Sequence, residues 1–546
     1  MFETPVLIVG GGPVGLTASI LLSQHGVRSL LVERHPGTAT LPKARGINAR
    51  TMEMYRQIGV EAAIREAGMP PRFGSMLVWA KSLAGEEINR IKPGRGSAAN
   101  LAVSPVANCG CAQDDFEPVL RRHAEAAAPD GLRFHTELTD VSYDANGVTG
   151  TLTDRTAGAQ LPFRARYLIA ADGAQSLMRQ KLGVQMVGER DVYDSVNILF
   201  RADLQQWTAD RPAPLYFIEQ PELRGTFLTI NGTDRWSFLV HSLKQYGYSP
   251  SDFTPERCTA IVRQAVGVPD LPVEIRGVGA WKASAIVADR YRDGPVFLAG
   301  DAAHEMPPTG GFGLNTGVQD VHNLAWKLAA VLHGHAEASL LDTYDTERRP
   351  LAELITRTSL LNALSMGRTA RQDSAKLPRP EFLNEQGLVF GPRYVSSAVI
   401  PDGTAPPSPA DPITEYIASA HPGCRAPHVW LSRGGEKIST IDLFGQRFVL
   451  LAGPSGLPWR EAANRQSQLS LTTYIVGEDV EDSDGQWVGA YGVEDDGAVL
   501  VRPDGYVAWR MARLTTDPAG ALATALEQLL GRREAVCANS HEAIAK

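Results

Sequence analysis

The stretch VLIVGGGPVGLTASILLSQHGVRSLLVE, residues 6–33, decides the fold of this chain. Val6–Val9 is a short apolar run of the kind that forms a buried strand in a parallel sheet. Three glycines at GxGxxG spacing follow, and apolar residues then recur at helical spacing up to Gly26. A second apolar strand, Leu30–Val32, ends at Glu33. This order of elements predicts a βαβ unit that binds a dinucleotide.

Each part of the predicted unit has a separate task. Gly10 permits the tight turn after the strand, Gly12 lets the backbone approach a pyrophosphate, and Gly15 lets helix and strand pack closely. The helix N-terminus offers free N–H groups to the anion. Glu33 is expected to accept hydrogen bonds from a ribose diol. The unit alone leaves open which dinucleotide binds.

Composition narrows the class of protein. The chain has 546 residues, a net charge of −8 and five cysteines. The length suggests two to four domains, and the acidic balance gives no general attraction to nucleic acid or to acidic membrane surfaces. No basic N-terminal region precedes the first apolar run, and no apolar stretch reaches the ~20 residues of a membrane span. The few scattered cysteines predict reduced thiols in a cytoplasmic protein without a metal site.

Two further signatures follow along the chain. In residues 165–183, ARYLIAADGAQSLMRQKLG, an apolar strand runs into Asp172 and a glycine. In residues 294–332, another apolar strand runs into Gly300-Asp301, and a glycine-rich loop and a long helix follow. An acid, a glycine-rich loop and a helix N-terminus form a second anion-binding device. A single mononucleotide-binding half would not need it.

Polar residues between the first two signatures are further candidates. Arg45 lies just before a predicted helix, where a cation could face a phosphate or a carboxylate. Gln113 lies just before another predicted helix, which Asp114 or Asp115 is expected to cap. A solvated surface arginine and a structural turn glutamine remain open alternatives on these residues alone.

Residues 185–285 are rich in strand-forming and aromatic side chains. Such strands usually form the core of a sheet, but a sheet inserted into a nucleotide-binding domain is also a common way to build a pocket. The residues considered for such a pocket are Tyr216, Phe227, Trp236 and His241, and Arg224 is considered as a partner for a substrate hydroxyl.

Together the three signatures resemble the single-component FAD-dependent aromatic hydroxylases of the para-hydroxybenzoate hydroxylase fold. The matching segments are GGGPVGL with Glu33-Arg34, the DG motif at 167–173, and the GD motif at 299–304 with Pro307-Pro308 and 313–315. Within that family the chain is most similar to the phenol and polyketide hydroxylases, which carry a C-terminal thioredoxin-like domain without redox cysteines. Residues 422–428 and 442–445 resemble that subgroup's pattern.

The resemblance implies an α/β protein with three parts. These are a GxGxxG Rossmann-like FAD domain, an inserted mixed-sheet substrate domain, and a C-terminal thioredoxin-like α/β domain without a CxxC pair. The expected boundaries are 1–75, 109–184 and 286–365 for the FAD domain, 76–108 and 185–285 for the substrate domain, 366–420 for a linker, and 421–546 for the thioredoxin-like domain.

The resemblance also implies roles for single residues. The residues expected to bind FAD are Gly10, Gly12, Val14, Gly15, Glu33, Arg34, Arg45, Gln113, Asp172, Asp301, Pro308, Gly311, Gly313, Leu314 and Asn315. Among them, Gln113 corresponds to the glutamine on the ribityl chain, and Asp301 to the acid on ribityl or pyrophosphate groups. Asp172 belongs to a motif used for both FAD and NADPH. Arg45 and Pro308 are the expected catalytic residues, and no base is assigned.

The implied activity is that of an FAD- and NAD(P)H-dependent monooxygenase. It would hydroxylate a phenolic or polycyclic aromatic substrate through a flavin C4a-hydroperoxide, with O2 and NADPH or NADH as co-substrates. Some phenol hydroxylases carry an acid at the position of Arg45, which argues against a simple-phenol site of that type. Baeyer–Villiger-type oxygen insertion into a polyketide and a non-catalytic flavin-binding protein are the alternatives. Formation of a homodimer is left undecided, whereas neither nucleic acid nor a membrane is an expected partner.

Overall fold

The computed structural model describes residues 2–74, 76–91, 97–243, 247–366, 385–466, 469 and 471–532. The chain divides into two compact units. Unit 1 comprises residues 1–325, 348–391 and 409–417, and unit 2 comprises residues 326–347, 392–408 and 418–546. Residues 367–384 of the predicted linker and 533–546 of the predicted C-terminal domain lie outside the described residues.

The strands up to residue 305 are β1 Phe2–Val9, β2 Ser29–Val32, β3 Gly46–Ile47, β4 Leu77–Ala80, β5 Glu87–Ile91, β6 Cys109–Gly110, β7 Leu132–Arg133, β8 Thr136–Asp144, β9 Gly147–Asp154, β10 Gln160–Ala170, β11 Met186–Arg201, β12 Leu215–Glu219, β13 Arg224–Thr229, β14 Arg235–His241, β15 Glu274–Ala288, β16 Arg292–Asp293, β17 Val296–Leu298 and β18 His304–Glu305. The helices up to residue 390 are α1 Pro13–Gln24, α2 Ala49–Gln57, α3 Glu61–Ala67, α4 Ser97–Asn100, α5 Gln113–Ala127, α6 Leu177–Lys181, α7 Gln205–Thr208, α8 Pro255–Val266, α9 Phe312–Leu332, α10 Thr343–Ser365 and α11 Gln386–Phe390. The later elements are β19 Trp430–Arg433, β20 Glu436–Ser439, β21 Phe448–Ala452, α12 Leu457–Asn464, β22 Leu471–Ile475, α13 Trp487–Tyr491, β23 Ala498–Val501, β24 Val507–Met511 and α14 Pro518–Leu529.

The first sheet of unit 1 has the order β16-β17-β10-β1-β2-β7, and the β8–β9 hairpin joins it at β10. Strand β1 lies parallel to both β10 and β2, and β10 lies parallel to β17. Val6, Leu7 and Ile8 are fully buried because they occupy the centre of this sheet. The predicted βαβ unit is confirmed, since α1 connects β1 to β2.

The second sheet of unit 1 has the order β18-β15-β11-β14-β13-β12-β4-β5. Its successive side chains point to opposite faces. One face, the core face, packs against α8 in a cluster that includes Val196, Ile198, Phe200, Tyr216, Phe227, Trp236, Phe238, Ile261 and Val262.

The opposite face of this sheet is called the cleft face. By strand register it carries Trp79, Tyr193, Ser195, Asn197, Phe217, Thr226, Leu228, Ser237, Leu239, His241, Trp281 and Ala283. Tyr193 and Ala283 on this face pack against Ala363 of α10. Asn197 and Leu228 remain partly exposed, so the middle of this face borders open space.

Unit 2 is built on a four-stranded sheet of order β22-β21-β23-β24. Strand β21 is parallel to β22 and antiparallel to β23. Phe448 and Leu450 of β21 enter one hydrophobic core, and Val449 and Leu451 enter another, so the sheet is covered on both faces. The predicted α/β class is confirmed. Within the described part of the chain, no helix combines the length and the apolar character that crossing a membrane requires.

Candidate functional site

The glycines after β1 form a tightly packed turn with an open mouth. Gly10 has a φ of 111°, and a Cβ atom there would lie 2.2 Å from the Ala171 carbonyl oxygen. A Cβ on Gly15 would lie 1.9 Å from the Gly10 carbonyl oxygen. A Cβ on Gly12 would meet no protein atom within 4 Å. The backbone is therefore bare at the position where a pyrophosphate would approach, as the sequence predicts.

Glu33 lies at the end of β2 and contacts this turn. Its Oε2 accepts a hydrogen bond of 2.7 Å from Gly11 N. Its Oε1 accepts one of 2.8 Å from His35 N and lies 2.5 Å from His35 Nδ1. Because an ionised carboxylate has about four acceptor positions, room remains for a ribose hydroxyl. The neighbouring Arg34 is exposed.

All three sequence signatures meet at the carboxyl ends of the parallel strands. Ala299 N donates to the Ala170 carbonyl oxygen at 2.9 Å, which places the turn after β17 beside the turn after β10. A Cβ on Gly300, whose φ is 62°, would lie 3.0 Å from Val14 Cγ2. The two predicted anion-binding devices thus form one continuous surface.

Asp172 and Asp301 border this surface. Asp172 Oδ2 accepts a 3.3 Å hydrogen bond from Met178 N, whereas Oδ1 is buried and has no hydrogen-bond partner. Burial raises the pKa of Asp172. The Asp301 carboxyl is reachable by solvent yet surrounded by protein, and this desolvation raises its pKa. Because Asp172 Oδ1 is buried, the acceptor that a ligand with hydroxyl donors, such as the ribityl chain of FAD, could reach is the exposed carboxyl of Asp301.

The loop before α9 is open at its tip and held at its base. Pro308 and Gly311 are exposed, and a Cβ on Gly311 would meet no atom within 4 Å. Ser359 of α10 donates through Oγ to the Pro307 carbonyl oxygen at 2.5 Å and accepts at its own carbonyl from Thr309 Oγ1 at 2.6 Å. A planar ring could therefore lie against the loop without displacing a side chain.

Asn315 fixes the start of α9 to the segment around Arg45. Its Nδ2 donates to the carbonyl oxygens of Gly311 at 2.7 Å and Gly46 at 3.0 Å, and its Oδ1 accepts from Asn48 N at 2.9 Å. Both of its amide N–H groups and one acceptor position of its amide oxygen are therefore occupied by protein partners. The partly exposed residues at this helix N-terminus are Gly313 and Leu314.

Arg45 connects the two large sheets. Its Nη1 donates to the carbonyl oxygen of Thr229 at 2.7 Å and to that of Pro214 at 3.4 Å. Gln113 holds the adjoining backbone, since its Oε1 accepts from Ala44 N at 3.1 Å. Desolvation lowers the pKa of Arg45 to about 10, so the guanidinium stays charged at neutral pH.

Arg235 of β14 makes an ion pair with α5 that the sequence interpretation missed. Its Nη1 donates to both carboxylate oxygens of Asp115 at 2.9 and 3.0 Å, and its Nη2 contacts Asp114. The expected cap is wrong, because Ala112 occupies the N-cap of α5 without a side-chain hydrogen bond. The two acids in the first turn instead join α5 to β14. The strand and helix are 120 residues apart in sequence, so no local pattern could reveal this ion pair.

The structure does not bring the four proposed pocket residues together. Tyr216, Phe227 and Trp236 belong to the core face and pack toward α8. The Tyr216 hydroxyl donates to the Arg211 carbonyl oxygen at 2.9 Å, and burial raises its pKa to about 12. His241 lies on the cleft face. The further candidate, Arg224, pairs with Glu219 at 2.9 Å.

His241 is at the centre of a buried polar group on the cleft face. Its Nδ1 lies 3.2 Å from Ser195 Oγ, and its Nε2 lies 3.1 Å from Thr226 Oγ1. Ser237 Oγ and Asn197 Oδ1 also contact each other. Either hydroxyl can donate or accept, so both tautomers of the imidazole are satisfied.

Aromatic side chains flank this polar group. Trp79 stacks on Phe217 with ring centroids 4.7 Å apart and planes 18° apart. On the other side, Trp281 contacts Tyr193 edge-on at 5.9 Å. The sequence alternation could have shown that Trp79, Phe217 and Trp281 lie on one face only if the register of all the strands were known.

Known proteins match this chain over nearly its whole length. Residues 3–359 match the FAD binding domain family, and residues 419–533 match the family described as aromatic-ring hydroxylase, C-terminal. A putative polyketide hydroxylase of Streptomyces halstedii is 43% identical over 93% of each chain. The tetracenomycin A2 monooxygenase-dioxygenase of Streptomyces glaucescens is 41% identical over 97% of each chain. The crystal structure of the flavin-dependent monooxygenase PieE with FAD and substrate has a TM-score of 0.90 at 35% identity, covering 97% of this chain and 100% of that one.

Proposed function

Because the chain belongs to the family of FAD-dependent aromatic-ring hydroxylases, we propose that it hydroxylates a polycyclic aromatic phenol. The reaction consumes O2 and takes its electrons from NADPH or NADH. The names of two relatives, a polyketide hydroxylase and a tetracenomycin A2 monooxygenase-dioxygenase, support a substrate with several rings.

The composition and width of the cleft face carry this proposal. From Trp281 on β15 to Trp79 on β4 the face crosses five strand spacings, or roughly 24 Å at about 4.8 Å per spacing. Aromatic side chains occupy both ends of this span, and hydroxyl, amide and imidazole groups occupy its middle. Such a surface suits a flat molecule that carries polar oxygens at a defined position.

The residues around the two glycine turns fit FAD, because the Gly12 and Gly311 positions are open and the Asp301 carboxyl is exposed to accept hydrogen bonds. Bound FAD supplies the redox chemistry and the activation of O2. The N-terminus of α9 near Leu314 would stabilise negative charge on a bound flavin ring by on the order of 1 kcal/mol through its dipole and N–H groups. The exposed loop residues Pro308 and Gly311 would hold the ring on one side.

Arg45 acts at the boundary of the two sheets. Two backbone carbonyls hold one of its nitrogens, which fixes the direction of the guanidinium. A positive charge held there attracts an anionic oxygen of the substrate or the incoming dinucleotide. Its partial desolvation strengthens that attraction relative to a solvated arginine.

His241 is the proposed acceptor for the substrate's phenolic proton. A phenolate is the more reactive nucleophile, so proton removal speeds oxygen transfer to the ring. Ser195 and Thr226 each place a hydroxyl against one imidazole nitrogen. A proton can therefore pass through a hydroxyl to His241 without rotation of the ring.

The experiment uses purified holoenzyme with a panel of aromatic compounds. Oxidation of NADPH and of NADH is measured with hydroxylated anthraquinones, with phenol and with 4-hydroxybenzoate, and products are analysed by mass spectrometry under labelled O2. We expect the anthraquinones to stimulate oxidation most and to gain one labelled oxygen with their ring skeleton intact. A lactone product would instead indicate Baeyer–Villiger insertion, and stimulation by the single-ring phenols alone would refute the polycyclic substrate class.

Two predictions from the sequence accompany this proposal. The first prediction is that the enzyme is located in the cytoplasm, where reduced nicotinamide dinucleotides are available. A homodimer is the state to test by light scattering of the holoenzyme. A mass equal to one chain at micromolar concentration would contradict it.

A further inference from the structure

A fully buried carboxylate, Asp320, lies behind the turn that carries Asp301. Its Oδ2 accepts a hydrogen bond of 3.1 Å from Gly300 N and lies 2.8 Å from His304 Nε2. Its Oδ1 accepts one of 2.9 Å from Arg348 Nε. None of the three charged or ionisable side chains is accessible to solvent.

These contacts join three chain segments close to the surface that the two glycine turns form. Gly300 belongs to the turn after β17, Asp320 lies two turns into α9, and Arg348 lies in α10. Arg348 Nη2 also donates to the Thr316 carbonyl oxygen at 3.1 Å, so the arginine holds α9 in two places. The position of the turn is therefore set by both helices through one carboxylate.

A contribution to stability alone is a poor explanation for such a buried group. The desolvation of a buried ion pair offsets much of its Coulomb attraction, and apolar side chains of similar volume are often as stable. Burial opposes ionisation of Asp320, but His304 and Arg348 outweigh it and keep the pKa of the carboxyl lowered. An apolar residue could not accept the hydrogen bond from Gly300 N. The direction of this N–H follows from the left-handed φ of 62° at Gly300.

We propose that Asp320 is a positioning residue for FAD: held by His304 and Arg348, it fixes the Gly300 turn so that the Asp301 carboxylate faces the cofactor. This inference rests on the assignment of Asp301 to FAD binding proposed above. Without Asp320, the turn keeps its sequence but loses the anchor of its first N–H. The affinity for FAD then falls even though no residue that touches FAD is changed.

The test measures FAD release from full-length holoenzyme after dilution, together with the gain in melting temperature on adding FAD. Variant D320N is nearly isosteric and removes the charge. Variant E53Q is the matched control, because Glu53 is also fully buried and paired, with Arg50 at 2.8 Å and Ser104 at 2.6 Å, yet does not contact the turn. Variant D301N tests the assignment of the turn itself.

We expect D320N to release FAD at least about 10-fold faster, as for the loss of one charge-assisted hydrogen bond. E53Q is expected to lower the melting temperature of the apoprotein without changing FAD release. If D320N does not fold, variant R348K replaces it in the test. It keeps the positive charge but loses the contact to the Thr316 carbonyl oxygen, so we expect FAD release to be accelerated less than in D320N.

The outcomes separate the two proposals. Unchanged FAD release in D320N, or equal acceleration in D320N and E53Q, would overturn the positioning role of Asp320. Unchanged release in D301N would overturn the assignment of the turn to FAD, whatever D320N does. Because none of these measurements requires a substrate, they do not depend on the proposed hydroxylation.

Discussion

Arg45 Nη1 donates a 2.7 Å hydrogen bond to the carbonyl oxygen of Thr229, so a side chain next to the nucleotide-binding sheet is held by the last residue of strand β13 in the other sheet. The contact uses a backbone acceptor, which no substitution at Thr229 can remove. The guanidinium therefore keeps its direction, and its remaining donors can bind the anionic oxygen proposed above.

Replacing Arg45 tests the role of that charge. We expect R45M to lower kcat/KM for hydroxylation by about 10- to 100-fold, the range for loss of a hydrogen bond to a charged group. R45K keeps a charge but cannot hold both carbonyl contacts and direct a planar donor, so an intermediate loss is expected. Steady-state kinetics with the best substrate measures both. Wild-type kcat/KM in R45M would contradict the proposed role.

The glycine turn allows a paired test of cofactor contact. G12A adds a methyl group where no protein atom lies within 4 Å, so the apoprotein should melt at the wild-type temperature while FAD binds more weakly. G15A forces a Cβ to 1.9 Å from a carbonyl oxygen, so we expect loss of stability with or without FAD. Thermal melting of both variants, with and without added FAD, distinguishes the two effects. Equal FAD stabilisation of G12A and wild type would show that the pyrophosphate binds elsewhere.

The proton acceptor can be tested by pH. We expect H241Q to hydroxylate roughly 100-fold more slowly at about pH 7, at the lower end of general-base effects. The deficit should shrink as pH rises toward the phenol's own pKa of about 10, because the substrate then ionises without help. T226V, which removes one hydroxyl and leaves Ser195, should lose less. Product formation across pH measures this, and a deficit that is constant with pH would leave His241 a structural residue.

Unit 2 contains a buried network whose pH dependence can be predicted. Glu347 binds Lys327 at 2.7 Å and Arg502 at 2.6 and 2.9 Å, all without solvent access. Burial alone would raise the pKa of Glu347, but Arg502 and Lys327 outweigh it and hold the pKa far below the usual value of 4.5. The ionised carboxylate thus contributes stability that is present above that value and is lost as pH falls toward the lower folded pKa.

Variant E347Q removes the anion that buried Lys327 and Arg502 share, and Arg502 keeps its pair with Asp504. We expect a loss of about 3–5 kcal/mol in the free energy of unfolding near pH 7, measured by urea denaturation of the full-length chain. The difference from wild type should diminish below about pH 4.5, where the unfolded glutamate takes up a proton. Glu478 pairs with Arg460 at 2.8 Å on the surface, so E478Q is the control and should change the free energy little.

The glycine turn after β1 could be predicted from the sequence. The spacing of Gly10, Gly12 and Gly15 reveals the turn, because a tight turn and a close approach of the backbone to a pyrophosphate require glycine at these positions. The family, the FAD cofactor and the monooxygenase class predicted from the three signatures are confirmed by the matched domains and relatives.

The pocket and the supporting contacts could not be predicted. An aromatic residue in a strand fits either face equally well, and only the packing of α8 shows that Phe227 and Trp236 are core residues. The contacts from Asp320 to Arg348 and from Arg235 to Asp115 link segments distant in sequence. No fixed separation in sequence is typical of such pairs, so composition and periodicity cannot predict them.

Side chains in the second sheet alternate between the cleft face and the core face, so substitutions that change the cleft are separate from substitutions that destabilise the fold. At Thr226, Leu228 or Leu239 a substitution alters the lining of the cleft and leaves the packing against α8 intact. One position away, at Phe227 or Phe238, truncation would cost about 3–5 kcal/mol. If the cleft face binds the substrate as proposed, a lineage can reach new aromatic substrates by varying Leu228 and Leu239 while it keeps His241 and its hydroxyl partners. A one-residue insertion in such a strand would instead exchange its core and cleft side chains at once.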